Sequence, residues 1–266
     1  MGGGDLRASA CAVTPHGTRI ALCKNAAVIS YGAEADAILT TARRSPEAAP
    51  ADQVLVAFPK SDYRLEPTAQ WDAMGMRGTC SAGFMLSAEG GPDQVLGVPY
   101  PRIHAQSMMP IAHLTWSAVW SGIAAGAVER ARSFLRTASR RSGGQLPPGA
   151  AQLTRATSSL AALRSMVAAH LRRFEQVGES EERLEALEFQ SAMNLLKVNA
   201  SELALEMVMT ALQACGLAGY RNDGDFSVTR QLRDILSAPI MINNDRILAN
   251  AASAAMLVEV PARLRD

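Results

Sequence analysis

Apolar positions along the first hundred residues come in short runs closed by turn formers. Residues 10–13, 19–23, 27–30, 37–41 and 53–58 form such runs, each bounded by Gly, Pro, Asp or Asn. Runs of this length and punctuation predict strands, and the Pro15-His16-Gly17 turn between the first two predicts a hairpin. The stretch 43–51, with Pro46 and Pro50, reads as a surface loop. From about residue 105 the spacing lengthens to that of helices. One helix is expected near 107–139, ended by Ser142-Gly143-Gly144. A second follows Pro147 and Pro148, with Leu153, Leu160, Leu163 and Val167 at helical spacing. A third runs over 181–215 with Leu184, Leu187, Met193, Leu196 and Leu203 on related faces. Gly216 and Gly219 close it. Shorter helices are expected at 227–236 and 244–258. Long helices on short connections predict an antiparallel bundle. The expected class is therefore α+β: a small antiparallel β-barrel or sandwich over residues 1–102, then a helical bundle over 103–266.

Composition narrows the function classes. Hydrophobic residues make up 48% of the chain and charged residues 19%, enough apolar material for a packed core. Lys plus Arg is 26 against 25 for Asp plus Glu, and a net charge of +1 gives no basis for nucleic-acid binding. The four cysteines (Cys11, Cys23, Cys80, Cys215) form no CxxC pair and the four histidines are scattered, which argues against a zinc site. Such spacing reads as reduced, buried thiols in a cytoplasmic protein. The first five residues carry no signal-peptide pattern, and no run of about 18 apolar residues predicts a membrane span.

Three segments, in order and spacing, resemble the acyl-CoA dehydrogenase family. Trp71-Asp72-Ala73-Met74-Gly75-Met76-Arg77-Gly78-Thr79 resembles the family's W-x-x-x-G-M-R-G-T stretch. Gln213-Ala214-Cys215-Gly216-Leu217-Ala218-Gly219-Tyr220 is similar to its Q-x-x-G-G-x-G-Y loop, with Leu217 in place of the second Gly. Arg233-Asp234 follows as in the family's final helices. Val28-Ile29-Ser30-Tyr31-Gly32 resembles the W-I-[ST]-N-G strand, and Ala35-Asp36 the pair that opens the next one. Gly3-Gly4-Asp5-Leu6 looks like the family's G-S-D loop. The resemblance implies a middle β-domain and a C-terminal antiparallel four-helix bundle with FAD between them, without the N-terminal helical domain that the family places ahead of that loop. It also implies an acyl-CoA substrate and a homo- or hetero-oligomer with an acyl-CoA dehydrogenase-like subunit.

The same resemblance assigns candidate residues. Ile29 and Ser30 would meet the isoalloxazine ring, a strand backbone and one hydroxyl being able to bond its polar edge; the plainer reading is a strand exit. Gln213, Gly216 and Gly219 would serve the adenine and pyrophosphate end across a subunit boundary, where glycine permits close backbone approach; the plainer reading is a helix cap. Arg140 resembles the pyrophosphate arginine, with Arg141 as its alternative. Asn244 stands near the expected FAD phosphates. Trp71 and Arg77 read as structural, and Trp116 and Trp120 as packing on one helix face.

The catalytic base is missing where the resemblance places it. Dehydrogenation of an acyl-CoA needs a carboxylate to remove the proton beside the thioester while the flavin takes a hydride. The Glu position of the family's Y-E-G-T segment falls on Ile242. The other family location, Ser117-Ala118-Val119-Trp120, holds no carboxylate, and Glu129 lies too far along that helix. Asp245 is the nearest substitute, with helix capping as its ordinary role. Three readings follow: a dehydrogenase subunit that borrows a base from a partner, a flavin monooxygenase of the same fold with His104 or His113 near the flavin, or a non-catalytic subunit.

Overall fold

The computed structural model describes residues 8–257. The Gly3–Leu6 resemblance and the last residue of the helix expected over 244–258 lie outside them. The chain divides into two compact units, one ending at His104 and the other beginning at Ala105.

Among the described residues the first unit is built from six strands: β1 (Thr14–His16), β2 (Arg19–Ala26), β3 (Ala37–Arg43), β4 (Gln53–Pro59), β5 (Tyr63–Ala69) and β6 (Gly83–Gly90). They form two antiparallel sheets, a four-stranded one in the order β1-β2-β6-β5 and the β3-β4 pair. Alternation sets the core. Ile20 and Leu22 of β2 and Leu86 and Ala88 of β6 point inward. Ile38 and Ala42 of β3 and Val54, Val56 and Phe58 of β4 do the same, and all belong to one buried cluster. Lys24 lies in the same strand register as Ile20 and Leu22, and its Nζ donates to the Thr41 carbonyl at 2.7 Å, joining the sheets.

Two expectations change here. The hairpin uses Thr14–His16 rather than residues 10–13, because the turn is Gly17-Thr18, with Gly17 at φ 62°; Ala12 instead bridges Arg43. Residues 27–30 are not a strand. β2 ends at Ala26 and the chain turns away, with Tyr31 in the left-handed region at φ 54°. The strands β5 and β6 escaped the sequence reading, since Pro67 interrupts one and small residues dilute the other.

A short helix α1 (Tyr100–Ile103) and a π-helical turn (His104–Met108) lead into the second unit. Its helices are α2 (Met109–Arg141), α3 (Ala150–Val177), α4 (Glu181–Glu185), α5 (Leu187–Cys215), α6 (Leu217–Tyr220), α7 (Thr229–Ile235) and α8 (Asn244–Ala255). The α5 helix is central, packing against α2, α3, α7 and α8. Its contact with α2 is lined by alanines: Ala124, Ala127 and Ala131 face a cluster with Ala200, Ala204 and Ala211, each no more than 1% exposed. Small side chains let the two axes approach closely, and Trp120, Leu163, Met207 and Ile235 fill the remaining space. The stretch Tyr100–Arg141 is long and apolar enough, by length and composition alone, to cross a membrane. In the bundle its apolar side is the core face just described.

Glycines end the long helices as expected. Gly143 and Gly144 follow α2 at φ 67° and 90°, and the Gly144 N–H donates to the Ser139 carbonyl at 2.8 Å. Gly216 follows α5 at φ 55° and ψ −137°, a conformation suited to glycine. The single helix expected over 181–215 is broken at Ala186, whose backbone is extended. Gln190 holds the break, its Nε2 donating to the Leu184 and Ala105 carbonyls. The thiols are free, but only Cys215 is buried; Cys23 and Cys80 are exposed. They lie on outward positions of the β unit, which spacing alone does not reveal.

Candidate functional site

In the β unit the residues flanking Ser30 form a hydroxyl-lined corner. Ile29 turns its side chain onto the β core, and its N–H donates to the Ala82 carbonyl at 2.9 Å. Tyr31 N–H donates to the Thr79 carbonyl at 3.0 Å and Gly32 N–H to the Ile29 carbonyl at 3.2 Å. Ser30 is left exposed, with Val28 and Tyr31 exposed on either side. Among the described residues the Ser30 N–H has no intramolecular acceptor. Its Oγ lies 2.8 Å from Oγ of buried Ser81, which lies 2.7 Å from Oγ1 of Thr79. Thr79 Oγ1 in turn donates to the Met76 carbonyl at 2.9 Å.

The Trp71–Thr79 motif therefore acts as a brace for this corner. Trp71 Nε1 donates to the same Met76 carbonyl at 3.1 Å, as does the Thr79 N–H at 3.2 Å. Arg77 is exposed in the short 3-10 turn. Four described non-glycine residues have left-handed backbones, and three of them, Tyr31, Met76 and Cys80, flank this corner. Such conformations cost free energy and cluster at sites that the surrounding structure holds in shape.

The fourth, Ile242 at φ 48°, belongs to a second arrangement in the bundle. Lys197 of α5 is fully buried, and its Nζ donates to the Ala238 carbonyl (3.0 Å), the Ile242 carbonyl (2.8 Å) and Asn244 Oδ1 (2.7 Å). The ammonium also lies 5.6 Å from the centre of the Trp120 ring. Burial pushes its pKa down to about 8, against a smaller upward pull from Glu202. Asn244 Nδ2 donates inward to Ser201 Oγ at 3.0 Å and Glu202 Oε1 at 3.3 Å. One lysine thus holds the whole α7–α8 connection against α5. Sequence reasoning passed over Lys197, yet a signal was present. It falls four residues after Met193 and three before Ala200, on the buried stripe of α5.

The remaining candidates are placed separately. Asn244 is buried with its amide engaged, so it organises the connection and does not reach outward. Asp245 is exposed in the first turn of α8, and the cap is its neighbour Asn243, whose Oδ1 accepts from the N–H of Asp245 and Arg246. Arg140 and Arg141 are exposed in the last turn of α2, and Gln213 is exposed near the end of α5. The N–H groups of Gly216 and Gly219 are engaged internally, with the Leu212 and Gly216 carbonyls. Gly219 is glycine for packing: a Cβ there would meet Cys215 Cβ at 2.6 Å. His113 is a buried structural histidine, its Nδ1 3.1 Å from the Met193 carbonyl. Glu129 pairs with Arg132 at the surface, which holds its carboxyl below the usual range. Trp120 is buried against Trp116, ring centres 6.3 Å apart.

Comparison with known proteins adds a lineage to this geometry. Residues 104–257 match the model of the acyl-CoA dehydrogenase C-terminal domain. Dibenzothiophene monooxygenase from Mycolicibacterium goodii is 34% identical over 121 residues, covering 42% of this chain and 29% of that protein. The chain thus matches under a third of the length of that curated relative. Among solved structures, FMN-bound TdsC, the dibenzothiophene monooxygenase of Paenibacillus sp. A11-2, superposes with a TM-score of 0.78 at 21% identity. The match covers 95% of this chain and 68% of that one. A nitroalkane oxidase superposes at 0.75 with 18% identity, over 97% of this chain and 64% of its own. A match through more than half its length, carrying the motifs around Gly216 and Arg233, makes this chain a member of the acyl-CoA dehydrogenase family.

Proposed function

We propose that this chain is the flavin-binding part of an oxygen-using monooxygenase of the family, acting on a small organic substrate and not on an acyl-CoA thioester. The observation that carries this reading is the α7–α8 connection. Isoleucine occupies the position of the family's base, held in a left-handed backbone by the Lys197 contact to its carbonyl. The nearest carboxylate in sequence, Asp245, sits exposed in the first turn of α8, and Glu202 is engaged with Asn244. A dehydrogenase cannot dispense with a proton acceptor, whereas oxygenation by reduced flavin does not begin by removing a substrate proton. The monooxygenase relatives point the same way.

The residues present fit a flavin. Ser30 offers an N–H with no internal partner beside a hydroxyl oxygen, on an exposed corner between two apolar side chains. A donor next to an acceptor complements the alternating carbonyl and N–H groups along a flavin's polar edge. In the bundle, taken by itself, Arg140 and Gln213 are exposed polar side chains of the kind that bind a flavin phosphate and, in FAD, the adenine. When bound, the flavin supplies the electrons and activates oxygen. The chain's own part is to hold the ring edge at Ser30, and the residue at position 242 is an isoleucine that cannot accept a proton. The four free cysteines support a reducing, cytoplasmic setting.

The dehydrogenase alternative retains the Trp71–Thr79 and Gln213–Tyr220 motifs in its favour. One experiment separates the two. The purified full chain is mixed with anaerobically reduced FMN or FAD, then with oxygen and dibenzothiophene, and the products are weighed by mass spectrometry. In parallel, chain loaded with oxidised flavin is mixed with acyl-CoA of several lengths. An oxygenated product with no acyl-CoA-dependent bleaching is expected; bleaching by an acyl-CoA would overturn the reading.

A further inference from the structure

With the Thr79 hydroxyl donating to the Met76 carbonyl, the hydroxyls at Ser30, Ser81 and Thr79 have one consistent arrangement of protons. Each hydroxyl carries a single hydrogen and two lone pairs. The Met76 carbonyl only accepts, so the Thr79 hydrogen goes to it. The 2.7 Å contact between Thr79 and Ser81 must then use the Ser81 hydrogen. The 2.8 Å contact between Ser81 and Ser30 is left to the Ser30 hydrogen. The row runs one way, from exposed Ser30 through buried Ser81 to Thr79 and a backbone carbonyl. Ser30 is left with lone pairs alone facing outward. Hydrogen bonds in a row polarise one another, so the Ser30 oxygen is a stronger acceptor for having donated inward.

We infer that Ser30 is an acceptor-only contact that makes the site select reduced over oxidised flavin, with Ser81 as the positioning residue that fixes its sense. The inference rests on the flavin reading above. In the oxidised ring N5 is an acceptor, and a lone pair set against it is repulsive. In the reduced ring N5 carries a hydrogen, which the Ser30 oxygen accepts while the Ser30 N–H meets the neighbouring ring carbonyl. An enzyme whose first requirement is reduced flavin gains from a ring-edge contact that rejects the oxidised form.

The test measures binding, with no turnover. Dissociation constants of the full chain for oxidised FMN and for dithionite-reduced FMN are measured anaerobically by equilibrium dialysis, alongside the Ser30→Ala and Ser81→Ala variants. The wild type is expected to bind reduced FMN the more tightly. Ser81→Ala frees the Ser30 hydrogen to turn outward, and the ratio of the two constants should fall by roughly threefold to tenfold, the worth of one neutral hydrogen bond. A tenfold fall equals a drop of about 30 mV in the midpoint potential of the bound two-electron couple. Ser30→Ala, at an exposed position that tolerates truncation, should weaken reduced binding and tighten oxidised binding by removing the repulsion; it carries the test alone if Ser81→Ala does not fold. Equal affinity for both states in the wild type, or a ratio unmoved by both variants, overturns the acceptor assignment and leaves the flavin reading standing. A chain that binds neither form overturns both.

Discussion

Replacing Lys197 by Met asks how much the buried ammonium contributes and how that changes with pH. The substitution keeps most of the side-chain volume and removes the donor to Ala238 O, Ile242 O and Asn244 Oδ1. Asn244 Oδ1 retains a long contact from Ser201 at 3.4 Å, but the two carbonyls lose their donor. A buried acceptor left without a partner costs about 1–3 kcal/mol. Against this stands the cost of burying the ammonium. With its pKa lowered from 10.5 to about 8, at about 1.4 kcal/mol per tenfold, that cost is on the order of 3 kcal/mol at neutral pH. Two stripped carbonyls cost about 2–6 kcal/mol and about 3 kcal/mol of burial cost is recovered, so the variant should be less stable at pH 7 by no more than about 3 kcal/mol, at most roughly 6–12 °C in Tm. The sign of the pH dependence follows from proton counting. Between pH 8 and 10.5 the folded protein has released this proton while the unfolded chain still holds it, so wild-type stability gains with rising pH and the Met variant lacks that gain. Urea unfolding of both proteins from pH 7 to 10.5 measures the difference directly, since every other titrating group cancels between them. The gap should widen by up to about 3 kcal/mol. A gap that stays flat across this range would refute a desolvated Lys197, and a variant more stable at every pH would refute its role in holding the connection.

Two further outcomes are expected. Gly219→Ala should lower stability by about 1–3 kcal/mol, because the new methyl meets Cys215 Cβ on a helix end that cannot easily shift; an unchanged thermal midpoint would contradict the packing described. In the native protein a maleimide should label Cys23 and Cys80 quickly and Cys215 only after denaturation, since burial removes access and raises that thiol to about 11; peptide mapping showing Cys215 labelled at a comparable rate would refute its burial.

Legibility in the sequence followed the range of the interactions. The long helices were readable because their causes are local: apolar spacing along 150–177 and 187–215, and glycines whose backbones end them. Residues 27–30 misled because a short apolar run fits a strand as well as a turn, and what decides is the distant Ala82 carbonyl. Ala186 carries no breaker chemistry, and the interruption there depends on Gln190. Ser30 was found through resemblance, but its bond to Ser81 spans 51 residues and lay beyond any pattern. Lys197 was hidden by habit, since lysine on a helix normally signals solvent. Asn244 was singled out in the right neighbourhood with the wrong direction, because its environment is supplied by α5.

The brace beneath Ser30 has a consequence for sequence change. Its sense is dictated at the far end, where Thr79 gives its hydrogen to a carbonyl. Exchange Thr79 for valine and the Ser81 hydrogen loses its destination; it swings to Ser30, whose own hydrogen then turns outward. A substitution forty-nine positions away would convert the tip from taker to giver with no atom of Ser30 altered. Positions 30, 79 and 81 therefore act as one unit, in which a change at Ser81 or Thr79 resets what Ser30 presents.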